Sequence, residues 1–115
     1  MTIKRRDIYL AALDPIVGRE ICKTRPVVVV SNDINNLHAG TVTVLPLTSQ
    51  STEPIYPFEV LLVEGAGNLP KTSKVKADQI RTLDKSRMVK YIGSLAEIDM
   101  QRIDQALKIH LALGS

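Results

Sequence analysis

Lys23-Thr24-Arg25-Pro26-Val27-Val28-Val29-Val30-Ser31, read with Leu45-Pro46-Leu47-Thr48-Ser49, decides the fold of this chain. The valines after Pro26 lose χ1 freedom in a helical turn, so the run is a strand, and one buried along its length. Residues 41–47 are equally rich in β-branched side chains, with Pro46 expected to mark the strand's frayed end. Each strand carries a polar group where it ends. If the two are neighbours, Arg25 and Thr48 converge on one groove, and a guanidinium beside a hydroxyl suits a phosphate.

Outward from this pair, residues 7–13, 58–63, 72–82 and 90–94 also read as strands. Turn signals separate them: Asp14-Pro15 with Gly18, the stretch 32–36 with Gly40, Glu53-Pro54, and the stretch 65–70. Short strands at this spacing, without long helices between them, predict a mainly β fold, a small antiparallel barrel or strongly bent sheet. The chain's end differs. Ser94-Leu95-Ala96-Glu97 has the form of a capping box, and behind it Ile103, Ala106, Leu107 and Leu111 form an apolar stripe, with Gly114 past the end. One amphipathic helix is therefore expected to cover the barrel. Residues 1–115 read as one domain, with no repeat or linker.

Hydrophobic residues make up 44% and charged residues 23%, the balance of an ordinary globular protein. No apolar run is long enough to span a bilayer, and Met1-Thr2-Ile3-Lys4-Arg5-Arg6 lacks a signal peptide's apolar region. The single cysteine, Cys22, has no partner for a disulfide, so a cytoplasmic protein is expected. Between Lys71 and Lys90 seven lysines and arginines face two aspartates, +5, which leaves −2 elsewhere in a chain of net charge +3. Such a window suits a polyanion, although a solvated basic face explains it too. Aromatics are only 3% of the chain, which limits base stacking and favours phosphates and base edges in any nucleic-acid contact.

Several chemistries find little footing. There is no His-x-x-x-His, Cys-x-x-Cys or Asp-x-Asp pattern, so neither a metal nor another cofactor is expected. His38 reads as a loop residue, and His110 as a packed or half-exposed residue at the edge of the helical stripe. Gly65-Ala66-Gly67 is too short for a phosphate-binding loop and reads as a turn. Cys22 lacks any recognisable partner base or redox partner.

Six ordered segments carry a resemblance: Asp7-Ile8-Tyr9, Leu13-Asp14-Pro15, Gly18-Arg19-Glu20, the residues 24–32, the residues 45–49, and Asp78-Gln79-Ile80-Arg81-Thr82-Leu83-Asp84-Lys85-Ser86-Arg87. With Ile92-Gly93 and the terminal helix, they make the chain resemble the MazF/PemK family of toxin endoribonucleases along nearly its whole length. The resemblance implies an SH3-like barrel with a C-terminal helix, and an mRNA interferase that cleaves single-stranded RNA without metal. It makes Arg25 an acid–base residue and Thr48 its partner in catalysis, with Glu20, just ahead of Arg25 in the chain, the candidate carboxylate beside them. RNA contacts fall to Gln79, Arg81, Ser31, Ser49, Lys85 and Arg87. It also implies a homodimer and an acidic antitoxin partner.

Elementary chemistry constrains those roles. A guanidinium with a pKa above about 12 is a poor base, but it is a credible electrostatic clamp and proton donor to a leaving alkoxide. Thr48 can donate to a phosphate oxygen and accept from a 2′-OH. Glu20 is the best-placed carboxylate for proton abstraction, though a salt bridge to Arg19 or Arg25 would explain it as well. Gln79 and Arg81, two apart on the anticipated strand 72–82, would share a face, as they would on any half-exposed edge. Two departures stand out. Arg6 replaces the family's glycine ahead of the first strand, where a positive φ comes easily only to glycine, and Leu10 replaces an aromatic. Two rivals share the fold: a toxin that binds DNA gyrase without chemistry, and a catalytically silent barrel. A pure gyrase binder needs neither Arg25 nor Thr48 at a groove floor.

Overall fold

The computed structural model describes residues 2–14, 17–20 and 23–114; Pro15 and Cys22 lie outside the described residues. In chain order the elements are β1 (Asp7–Ala12), β2 (Thr24–Val29), α1 (Asp33–His38), β3 (Thr41–Thr48), β4 (Glu59–Leu62), β5 (Ser73–Lys76), β6 (Arg81–Asp84), β7 (Met88–Ser94) and α2 (Glu97–His110). The strands pair antiparallel in the order β4-β5-β3-β2-β1-β7, and β6 lies beside the first half of β3. The sheet bends strongly without closing, a barrel-like arrangement with one long C-terminal helix.

The valine run explains why the sheet can bend and stay packed on both sides. Val28 and Val30 enter one core with Ile8, Leu45, Leu47, Leu62, Met100 and Ile103. Val27 and Val29 enter a second with Tyr9, Ala11, Val42, Val44, Leu83 and Met88. The valine run therefore has no polar face, and the chain reads there as an unbroken apolar stretch.

β3 is the hinge of the architecture. Its Thr41–Val44 half pairs with β6, and its Leu47–Thr48 end pairs with β5. Pro46 is buried inside this strand, opposite Val27, rather than at a frayed end. It stands in the gap between the β6 and β5 ladders, where the lack of an N–H costs that edge no ladder bond.

Three other expectations give way to local chemistry. The anticipated strand 72–82 is cut by a 3₁₀ turn, Ala77–Gln79, that lets the chain leave β5 and join β6. The anticipated loop after β2 contains α1, capped by Asn32, whose Oδ1 accepts the Asn35 amide at 2.8 Å, so His38 ends a helix. Ser94 is the last residue of β7, and the N-cap of α2 is Ala96, with no side-chain cap bond. Glu97 pairs instead with Arg6 at 3.1 Å. Helix α2 buries Met100, Ile103 and Ala106 against the sheet, while Leu111 is 46% exposed. The left-handed residue past its end is Ala112, at φ 56°, rather than Gly114. Arg6 does adopt the glycine-like backbone, at φ 82°.

Candidate functional site

The last pair of the β2–β3 ladder is Val27 with Pro46. Carried two residues further, the same register aligns Arg25 with Thr48. Alternation puts Arg25 on the face of Val27 and Val29, and Thr48 on the matching face of Val42 and Val44. Both are half-buried at one end of neighbouring strands. The Thr48 hydroxyl oxygen accepts the Gln50 amide at 3.1 Å, which steers the group and leaves its hydrogen to donate.

Arg25 and Ser49 line a cleft of about 260 Å³ with Leu10, Leu47 and Lys71. A wider cleft of about 320 Å³ is lined by Lys90, Tyr91 and Ile92, and it shares Leu10, Pro26 and Pro70 with the first. Together they form a continuous groove over the end of the sheet, with a cation in each half. Leu10 forms part of the wall of both.

A third cleft, about 170 Å³, holds Glu20, Pro46, Asp78, Gln79 and Arg81. Gln79 and Arg81 thus meet as expected, but by another route: Gln79 rides on the 3₁₀ turn and Arg81 opens β6, so they share a cleft and not a strand face. The Arg81 guanidinium donates to the Leu13 carbonyl at 3.1 Å. Arg87 donates to the Ala12 carbonyl at 3.0 Å and to that of Asp14. Both arginines grip the start of the β1–β2 connection, which carries Glu20. Glu20 Oε1 accepts the Val17 amide at 2.6 Å across the turn at Gly18, whose φ is 60°.

Other sequence candidates lie elsewhere. Ser31 is six residues along the β2 direction from Arg25, roughly 20 Å at ordinary strand rise. Its hydroxyl donates to Asn36 and accepts the Thr43 amide at 3.1 Å, so it holds α1 to the sheet. Lys85 is tied by its amide to the Gly40 carbonyl at 3.0 Å, beside the start of β3 and far from Thr48. The basic window is therefore not one patch. Lys71 and Lys90 face the groove, and Arg81 and Arg87 hold backbone carbonyls. Lys74 and Lys76 turn to a carboxylate that sequence reasoning passed over, Glu59, at 3.4 and 2.8 Å.

Glu59 is buried. Burial pushes its carboxyl up, but the hydrogen bond from Lys76, the Tyr56 amide and the two ammonium charges hold it below the usual carboxylate range. The available signal was a charge opening an apolar strand opposite a Lys-Val-Lys alternation. Asp7 shows the opposite balance: burial raises its pKa, against the Lys4 amide hydrogen bond, which lowers it.

Over residues 4–111 the sequence matches the family described as "PemK-like, MazF-like toxin of type II toxin-antitoxin system". It is 39% identical to Endoribonuclease MazF9 of Mycobacterium tuberculosis, over 98% of this chain and 99% of that protein. It is 38% identical to Endoribonuclease EndoA of Bacillus subtilis, over 98% and 97%. Among solved structures, a mycobacterial endoribonuclease in complex with its cognate antitoxin superposes with a TM-score of 0.80 at 28% identity, over 98% of both chains. MazF from Deinococcus radiodurans gives 0.84 at 25% identity, over 98% of this chain and 99% of that one.

Proposed function

This chain belongs to the PemK-like, MazF-like family of type II toxins and is a toxin endoribonuclease; we propose that it cuts single-stranded RNA at the shared end of β2 and β3 by metal-independent transesterification. The observation that carries this reading is the β2–β3 register, which, carried two residues past the Val27–Pro46 pair, aligns Arg25 with Thr48 beside a groove with cations in both halves.

The 2′-oxygen attacks the adjacent phosphorus in line. The P–O5′ bond breaks, leaving a 2′,3′-cyclic phosphate on one fragment and a 5′-hydroxyl on the other. The 2′-proton passes to Glu20, the candidate carboxylate on the β1–β2 connection. The leaving 5′-oxygen takes a proton from Arg25, whose fork also binds the equatorial oxygens as their charge builds. Thr48 holds the scissile phosphate in the attack geometry. Gln79 and Arg81 meet bases at the smallest cleft, and Ser49 lines the cleft it shares with Arg25. Such attack needs a splayed nucleotide, which favours single strands, and mRNA in the cytoplasm is the substrate.

The active form is a homodimer with its groove at or near the interface, isologous pairing being the commonest way to lengthen such a surface. An acidic, disordered antitoxin segment occupies the same groove. Excess antitoxin peptide therefore displaces an uncleavable RNA; simultaneous binding at undiminished affinity would reject the shared groove.

The deciding experiment is incubation of the purified protein with a long defined RNA in EDTA, followed by mapping of 5′ ends and end chemistry. Cleavage at recurrent sites, leaving cyclic phosphate and 5′-hydroxyl ends and blocked by a 2′-deoxy nucleotide, is the expected result. Ends bearing 3′-hydroxyl and 5′-phosphate, or no cleavage, would overturn the reading.

A further inference from the structure

Glu59 opens β4 with its side chain 1% exposed, yet it sits among charges. It is the direct cross-strand partner of Lys76, and Lys74 lies two residues away on the same face of β5. Glu59 Oε2 accepts from Lys76 Nζ at 2.8 Å, and Oε1 accepts from Lys74 Nζ at 3.4 Å and from the Tyr56 amide at 3.1 Å. Apolar residues of similar volume generally serve stability as well as a buried ion cluster does. What an ionic cluster adds is direction, because each oxygen and each ammonium is committed to a partner.

That direction points at the small cleft. Lys76 Nζ lies 3.9 Å from the Asp78 carboxylate, and the Ala77 amide donates to the Phe58 carbonyl at 3.2 Å. The 3₁₀ turn Ala77–Gln79 is thus fixed to residues 58 and 59 by a backbone bond and, through Lys76, by a side chain. Asp78 and Gln79 are the part of this turn that lines the cleft.

We propose that Glu59 is a positioning residue for base recognition: by committing Lys76 between itself and Asp78, it fixes the turn that presents Gln79, and so governs which RNA sequence is bound. This rests on the RNA-cleaving reading of the site. Glu59 touches no reacting atom. Its loss frees the side chains of Lys76 and Lys74 and lets the turn tilt, while Arg25, paired with Ala11 of β1, and Thr48, paired through the backbone with Lys74 of β5, keep their strand positions.

The test compares affinities of the wild-type protein and Glu59→Gln for four single-stranded 2′-methoxy homopolymer dodecamers, which cannot be cleaved. The wild type separates its best from its worst ligand by about tenfold, the scale of one bidentate base contact, and Glu59→Gln narrows this to about twofold. On cleavable RNA the variant raises KM about tenfold with kcat within about twofold, as loss of binding shared equally by ground and transition states requires. Glu59→Asp, which keeps the charge, recovers part of the separation. If Glu59→Gln does not fold, Lys76→Met, in which Lys74 still pairs Glu59, narrows the separation in the same way. An unchanged separation in the folded variant, or a fall in kcat with KM unchanged, overturns the proposal. A wild type that binds these ligands selectively but cleaves no RNA overturns the reaction and leaves the positioning test in force.

Discussion

A guanidinium offers two parallel donors to two oxygens of one phosphate, whereas an ammonium offers a point charge. Arg25→Lys therefore keeps the charge and loses the geometry, and kcat is predicted to fall by about 10²-fold or more, as with loss of an oxyanion donor. Arg25→Ala and Thr48→Ala lose activity too, with melting temperatures unchanged, and single-turnover cleavage measures all three. Near-normal cleavage by Arg25→Lys would show that charge alone suffices. Arg6 offers a backbone prediction of a different kind. At φ 82° it holds a conformation that disfavours any Cβ, and its side chain makes one exposed ion pair with Glu97. Arg6→Gly should exceed Arg6→Ala in stability by about 1 kcal/mol in urea, because both lose the ion pair and only glycine loses the strain. Equal midpoints would mean that the position is unstrained. Arg25, Thr48 and Arg6 were legible because their places follow from short-range rules: strand alternation, and a motif glycine replaced. Arg81 was not, since its hydrogen bond runs to a carbonyl 68 residues away.

Helix α2 begins at Ala96, which has the extended backbone of an N-cap but no side chain to cap with, and ends before Ala112, which holds the left-handed position that glycine favours. Ala96→Ser and Ala112→Gly should each stabilise the protein by about 1 kcal/mol, read as a higher urea midpoint at unchanged slope. The reverse result at Ala96 would mean that Ser94 or Glu97 already caps the helix in solution. The existence of α2 and of the strands outside residues 72–82 was legible from periodicity and turn residues, whereas β5 and β6 read as one strand. The boundaries were not, because caps compete: Ser94 fits a capping box locally, yet the β1–β7 ladder claims it through Asp7. The 3₁₀ turn at Ala77–Gln79 escaped notice for a similar reason, since nothing in Lys-Ala-Asp-Gln-Ile says that β3 changes partners there.

Folding disperses the charge of the basic window over the molecule. Seven cations fall in the basic window, but of these Lys71 and Lys90 line the joined clefts, where Arg25 of β2 joins them. Single-strand binding through about three phosphate contacts predicts a slope of log affinity against log salt near −2, rather than the −5 of about seven. A slope near −5 would return the window to a single surface. Acid stability separates two buried carboxylates by sign. Glu59 is held low, so its contribution is present above the ordinary carboxylate range and is lost as pH falls through it; Asp7 is held high, so its burial penalty at neutral pH is relieved as pH falls. Urea midpoints between pH 7 and 4 should therefore decline less steeply for Glu59→Gln than for the wild type, and more steeply for Asp7→Asn. The valine run of β2, split between two cores, bears on what happens when a culture escapes this toxin. Cells that survive its expression are those in which it has been broken, and an ordinary amphipathic strand offers a breaking mutation at every second codon. Here each of the four consecutive codons from Val27 to Val30 is such a target, since a polar or enlarged side chain has no solvent to turn toward. Sequenced escape mutants should strike all four positions, without the alternation that a one-sided strand would leave in the record.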